Sequence, residues 1–382
     1  VPADGSSVTR GAPVKRLTVF AVDVDMVQVC WSDLAPGSHE LAVSGAPALV
    51  VEGGGCGSAI VDGLASDTEV RVSLSGVEAP PVRTLRAPPG RELSRIATIS
   101  DVHIGEDRFG RWPCISPDGT WHGCEPYPTG CSRAALDEAL AWGAQLIVVK
   151  GDLTHDDRNA EYERLGSLLK SIPVPVLVLP GNHDGGDHVH GDGVSVLAGL
   201  GVELITTVKV HDLPGLRVVA ASSRERRHHR GNLTPLLPQI TEALRDAPGG
   251  ALLATHHPPF RTLVTTIWPP GILGLDGWRL LRGVAVANPA TLVTAGHTHR
   301  NRRRRHGPIP ITEVGSPKDY PGVWAGYAIH EGGIRQIVRR TADPRVLAWT
   351  ERTGDTVMGQ WRRWAPGSLD DRCFSHSWPA RP

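Results

Sequence analysis

The chain has no apolar stretch that approaches the roughly 18 residues a membrane-spanning helix needs. It also has no surplus of either charge: 40 Lys and Arg stand against 40 Asp and Glu. That balance gives no bulk attraction to polynucleotide or to an anionic membrane. Lys and Met are scarce while Arg is abundant, a bias that fits GC-rich coding better than a binding surface. Gly and Pro are frequent but dispersed, and no low-complexity tract stands out. The six cysteines match no zinc-knuckle spacing. Cys30 and Cys56 fall early, Cys114, Cys124 and Cys131 share a Trp-, Pro- and Gly-rich stretch, and Cys373 comes late. An oxidising compartment allows pairs within that stretch or from it to Cys373, whereas a cytosolic one leaves thiols. The first residues carry no signal-peptide core, so a cytoplasmic address is expected, with export open if a leader precedes Val1 and the cysteines pair.

What the chain does have is five short polar motifs in one order: Asp101-Val102-His103, Gly151-Asp152, Gly181-Asn182-His183-Asp184, His256-His257 and Gly296-His297-Thr298-His299. Each follows an apolar run of strand type, at 96–99, 146–149, 176–179, 252–254 and 292–294. The expectation is that all these polar groups project from one end of a central sheet. Packing does not ask for His, Asp and Asn at five strand ends, but a pair of metal ions does. Two cations about 3.5–4 Å apart need a shared carboxylate, and imidazole, carboxylate and amide oxygen suit Zn, Mn or Fe better than Ca or Mg.

This arrangement resembles the calcineurin-like metallophosphoesterases, and the resemblance runs from about Leu93 to Arg339. The segments Val148 through Asp152 to Asp184 and Thr255-His256-His257-Pro258-Pro259 look most like the class III cyclic-nucleotide phosphodiesterase branch. Purple acid phosphatases share the architecture, but their metal-binding Tyr has no counterpart in Gly151-Asp152-Leu153-Thr154-His155. The resemblance implies that Asp101, His103, Asp152 and His299 hold a first metal, and that Asp152 bridges to a second held by Asn182, His256 and His297. It implies an α/β fold, a four-layer αββα sandwich, and a bridging hydroxide that attacks phosphorus while the metals neutralise the transition state.

The catalytic acid expected for the leaving alkoxide is His183, with Asp184 holding its imidazole in the right tautomer and raising its pKa. His257 reads either as a pocket wall or as a structural residue before Pro258 and Pro259. Helical spacing at 133–142, 159–170, 238–244 and 278–286 alternates with the strands, as a covered parallel sheet requires. The resemblance further implies that strands at 309–314, 325–330 and 334–338 complete a second sheet.

Three regions lie around this core. Residues 1–90 hold six short alternating strands, at 17–22, 26–31, 39–43, 48–51, 59–60 and 69–74, resembling a fibronectin type III module or the sandwich preceding purple acid phosphatase catalytic domains. Within the catalytic region, 91–340, the Cys-rich insert 108–132 leaves the first motif directly. It reads as a lid offering Trp112, Trp121, His122 and Tyr127 to substrate, or as a plain surface loop. Residues 341–382 form a Trp-rich extension expected to pack on a surface. Two basic runs, 224–230 and 300–305, read as anion-binding or as solvated loops, with Arg300 the nearest to a motif.

The expected activity is therefore a dinuclear metal-dependent hydrolase of phosphate esters, with a phosphodiester preferred and a cyclic nucleotide the leading substrate. A phosphomonoesterase on the same core and a non-catalytic scaffold are the alternatives.

Overall fold

The structure is a computed structural model, and it describes residues 14–110, 114–185, 192–225, 228–259, 270–272 and 274–379. The chain divides into two compact units, one ending at Leu85 and one beginning at Arg86.

The first unit is built from small antiparallel sheets. Arg16–Val22, Val27–Leu34 and Gly55–Val61 form one, and Leu49–Glu52, Ser38–Val43, Val72–Leu74 and Val77–Glu78 form another. The stretch expected as a single strand at 69–74 breaks at Arg71. Glu69–Val70 pairs with Val82–Arg83 while Val72–Leu74 pairs with Ser38–Val43, so the chain changes sheets there. Trp31 is buried, and the lack of a side chain at Gly57 makes room for its ring.

The second unit holds two six-stranded sheets. The first has the order Val176–Leu179, Leu146–Lys150, Glu92–Ile99, Val323–His330, Gly333–Arg340, Cys373–Ser377. Its first three strands are parallel and the rest antiparallel. The second has the order Val208–Leu213, Leu216–Ala221, Gly250–Ala254, Thr291–Ala295, Ile309–Glu313, Arg302–His306. Four parallel strands lie at its centre, with an antiparallel strand at each edge.

This corrects the expectation that all five motif strands share one sheet. The first three motif strands belong to one sheet and the last two to the other. The late strands also do not stay together: Ile309–Glu313 joins the second sheet, whereas Val323–His330 and Gly333–Arg340 extend the first. The sheets meet through polar contacts between otherwise apolar layers. Lys150 Nζ donates to Thr294 Oγ1 at 2.9 Å and to the Ala295 carbonyl at 3.0 Å, and the Thr294 hydroxyl meets Tyr327 OH at 2.8 Å.

Helices cover both outer faces. Tyr127–Ala141 packs on Glu92–Ile99 and Val323–His330, and Leu237–Arg245 with Gly274–Ala287 closes a core over the second sheet around Val219, Leu253, Leu281 and Val293. The run at 302–305 is a strand rather than a loop: Arg302–His306 is the edge of the second sheet, where charged side chains discourage further pairing.

The C-terminal region is woven into this unit. Pro344–Thr353 buries Trp349 against Tyr127, their rings 4.3 Å apart, and Cys373–Ser377 adds a strand to the first sheet. The insert packs against this extension: Phe109, Ile115 and Trp121 join Tyr127, Val346 and Trp349 in one cluster, and Arg352 donates to the Asp118 carbonyl. Cys114, Cys124 and Cys131 form no disulfide.

Glu351, on Pro344–Thr353, bridges Arg340 of the first sheet at 2.7 Å and Arg362 of the following helix. Burial alone raises its carboxyl, but Arg340 and Arg362 outweigh that and hold it below the usual range. A depressed carboxyl contributes stability above its unfolded pKa of about 4.3, and that contribution is lost as pH falls through the lower folded value. Glu351→Gln, which removes the carboxylate joining Arg340 to Arg362 and leaves Arg362 with Asp355, is expected to lower stability at pH 7 by roughly 2 kcal/mol. Denaturant unfolding checks this, and the deficit should shrink as the pH drops below 4.3; a pH-independent difference argues against the ion-pair account.

Candidate metal centre

The motif loops are stitched edge to edge by backbone bonds. Asp101 N donates to Gly151 O at 3.0 Å, His103 N to Asp152 O at 2.9 Å, and Gly296 N to His256 O at 2.9 Å. The motif glycines permit this closeness. A methyl at Gly181 would collide with the backbone nitrogen and carboxylate of Asp152, and one at Gly151 would collide with the His256 ring.

Local strain gathers at the same place. Asp101, His103, Asp152, His297 and His299 all adopt positive φ, between 43° and 70°. The left-handed region disfavours residues with a Cβ by about 1 kcal/mol or more each. Five of them in one cluster point to function rather than to fold stability.

The side chains converge on a common centre. Asp101, His103, Asp152 and His299 bring their ligand atoms within 4.8 Å of one another, and His256, His257 and His297 do the same. His103 Nε2 lies 3.6 Å from Asp152 Oδ2, His256 Nε2 lies 3.3 Å from Asp152 Oδ1, and His299 Nε2 lies 3.6 Å from Asp101 Oδ1. These separations are long for hydrogen bonds. They suit two donors on one ion: with each at about 2.1 Å and a tetrahedral angle between them, they stand roughly 3.4 Å apart. Both ring nitrogens of His103 are buried and meet no hydrogen-bond partner among the described residues, as an imidazole waiting for a cation should.

The electrostatics fit the same use. Burial and then Lys318 keep the His103 imidazole well below its ordinary pKa, and burial with His256 pushes His297 down to about 3. Both rings are thus neutral, with lone pairs to offer. Burial opposes a charge on His256, but Asp152 pushes that ring up to about 9, so a cation arriving there displaces a proton. Asp152 would be raised by burial, yet His256 and His183 hold it well below the usual carboxylate range.

Asn182 points Oδ1 at His256 Nε2, 3.2 Å away, and Nδ2 toward His229 Nδ1 at 3.5 Å, an orientation that turns its oxygen to the cluster. His257 is fully buried beside His256 and His297. The Ser223 hydroxyl accepts from its backbone N–H at 3.0 Å and meets Nδ1 at 2.9 Å.

Asp184 does not meet the imidazole of His183, contrary to the role expected for it. Its buried carboxylate accepts from Leu153 N, Thr154 N, the Thr154 hydroxyl and Gly181 N, at 2.7–3.1 Å, and so clamps the second motif to the third. The ring of His183 is held by the His155 carbonyl, 3.0 Å from Nδ1, and its backbone N–H donates to Asp152 Oδ1 at 3.0 Å.

The remaining candidates lie off the cluster. Trp121 donates its indole N–H to the Glu125 carbonyl and packs toward the C-terminal extension, His122 is exposed, and Tyr127 is buried with its hydroxyl on Glu106. Trp112 lies outside the described residues. The guanidinium of Arg300 stacks on Trp361 and Trp364, with 5.6 and 5.5 Å to the ring centres, instead of reaching inward. The described part of the insert therefore braces the extension rather than forming a lid.

Several groups escaped the sequence reading. Asp319 accepts from His299 Nδ1 at 2.6 Å, and Lys318 lies fully buried between Glu106 at 2.5 Å and Asp319 at 3.6 Å. A polar pair following the strand Ile309–Glu313 was the available signal. His155 was visible in the second motif itself; its ring stacks 5.9 Å from that of His183.

Residues 94–301 match the calcineurin-like phosphoesterase family. The chain belongs to that family. It is a phosphoesterase hydrolase with an α/β metallophosphoesterase fold from about residue 90, and membership implies bound metal ions at the His and Asp groups. Among curated relatives, a probable cyclic nucleotide phosphodiesterase of Synechococcus is 27% identical over 207 residues, covering 54% of this chain and 73% of that protein. A 3′,5′-cyclic-nucleotide phosphodiesterase of Nostoc is 25% identical over 225 residues, covering 58% and 77%. Among solved structures, a purple acid phosphatase from yellow lupin superposes with a TM-score of 0.45 and 10% identity, covering 85% of this chain and 72% of that one.

Two substitutions separate the supporting groups. Asp319→Asn, which removes the charge beneath His299, is expected to weaken Mn binding about 10- to 100-fold; a metal titration of the apo-protein that shows no change counts against this role. Asp184→Ala strands four donors and is expected to lower stability by about 2 kcal/mol or more in metal-free protein. Thermal unfolding of the variant beside the parent checks it.

Proposed function

We propose that the chain is a dinuclear metal-dependent phosphodiesterase, with Asp101, His103, Asp152 and His299 holding one ion and Asp152, Asn182, His256 and His297 the other. The observation that carries this reading is the position of Asp152, whose one oxygen faces His103 and whose other faces His256. When bound, such a pair of ions activates water for attack on phosphorus and neutralises charge on the phosphoryl oxygens. Manganese, iron and zinc all suit this donor set.

The protein's own part is orientation and proton supply. With Nδ1–H donated to the His155 carbonyl, His183 keeps Nε2 for a leaving-group oxygen. Its backbone N–H meanwhile fixes the Asp152 carboxylate, so the acid and the bridging group are positioned by one residue. The preference for a diester, with a cyclic nucleotide as leading substrate, is supported by what the curated relatives are named for.

Metal-stripped protein resupplied with Mn should hydrolyse bis-p-nitrophenyl phosphate faster than p-nitrophenyl phosphate; the reverse order makes it a phosphomonoesterase. His183→Ala should retain its metal and slow esters of poor leaving groups most, by about 10²- to 10⁴-fold. An equal loss on activated and unactivated esters removes His183 from the acid role.

A further inference from the structure

We infer that Arg224 forms an oxyanion subsite beside the metal centre, taking the phosphoryl oxygens of the substrate. This rests on the phosphoester reading above and adds a binding group that none of the five motifs contains.

Arg224 follows the strand Leu216–Ala221, which lies in the second sheet beside Gly250–Ala254, the strand that leads to His256. The residues on either side of Arg224 are anchored to the centre. Ser223 holds both the backbone and the ring of His257. Gly231 faces Arg224 across an antiparallel bridge, and a methyl at Gly231 would collide with the His257 side chain. His229, from the same segment, reaches Asn182. Arg224 therefore leaves a backbone fixed against the cluster on both sides.

Its guanidinium lies on Gly185, the residue after Asp184. A Cβ at Gly185 would stand 3.3 Å from Arg224 Cζ and Nη2, so the glycine provides the shelf on which the planar group rests. Among the described residues no carboxylate pairs with Arg224. Arg230, across the turn, takes Glu225 at 2.9 Å. A half-buried guanidinium that no carboxylate claims among the described residues, resting on the glycine three residues after Asn182, is matched in shape and charge to a phosphoryl group. Ions held by the ligand cluster would supply positive charge to some phosphoryl oxygens, and the fork of N–H donors on Arg224 is free to take others. No comparable opening is left at Arg300, whose guanidinium is covered by two indoles.

The test uses the full chain loaded with Mn and inorganic phosphate as the probe, titrated by calorimetry. Arg224→Met should raise the phosphate Kd about tenfold or more, the scale of a lost charged hydrogen bond. Arg224→Lys, which keeps the charge but not the fork, should recover only part of that loss. KM for bis-p-nitrophenyl phosphate should rise by a similar factor, with bound Mn unchanged by elemental analysis. An unchanged phosphate Kd in both variants, or no phosphate binding by the parent protein, overturns the subsite. If the parent binds phosphate, loses it on Arg224→Met, and yet turns over no diester, the subsite stands and the diester reading alone fails.

Discussion

The structure turns on one buried carboxylate. Asp152 follows a strand of the first sheet, yet one of its oxygens faces His256, which follows a strand of the second. Two sheets that approach closely enough for that contact need loops without bulk, which is why glycine precedes Asp152 and Asn182. They also need backbone angles that residues with a Cβ adopt reluctantly, and five of the ligand candidates adopt them. Apolar packing of the two layers holds those loops in place, with Lys150, Thr294 and Tyr327 as the polar ties between them. Strain at the centre is thus sustained by ordinary burial away from it.

Much of the centre was legible because chemistry and periodicity coincided. The runs 96–99, 146–149 and 176–179 are short, largely apolar and followed within three residues by a candidate ligand, and each lies in a strand of the structure. Which strands pair was not legible, because a buried parallel strand is apolar on both faces and records nothing of its neighbour. The split of the ligands between two sheets, and the separation of Ile309–Glu313 from Val323–His330, belong to that class. Cys373–Ser377 escaped for the opposite reason: its polar residues give no strand signal, and only pairing with Gly333–Arg340 makes it one.

Adjacency in sequence misled at Asp184 and Arg300. A carboxylate next to a histidine invites pairing, but neighbouring side chains in a tight turn point apart, and four unsatisfied donors in the two loops claim Asp184 instead. Arg300 follows His299 directly and turns to the indoles of the extension by the same logic. The supporting groups that matter most to His299 and His183 come from Asp319 and from a backbone carbonyl, and a carbonyl leaves no mark in a sequence.

The place of Glu92–Ile99 within its sheet has a bearing on biosynthesis. One side of it is met by Leu146–Lys150, soon after it in the chain, while the other waits for Val323–His330, more than two hundred positions downstream. At roughly 5–20 residues per second of translation, the unpaired side stays open for about ten seconds or longer. A nascent chain in that state offers a bare apolar edge beside the ribosome, and its safe passage depends on chaperone cover or on a temporary neighbour from within the polypeptide.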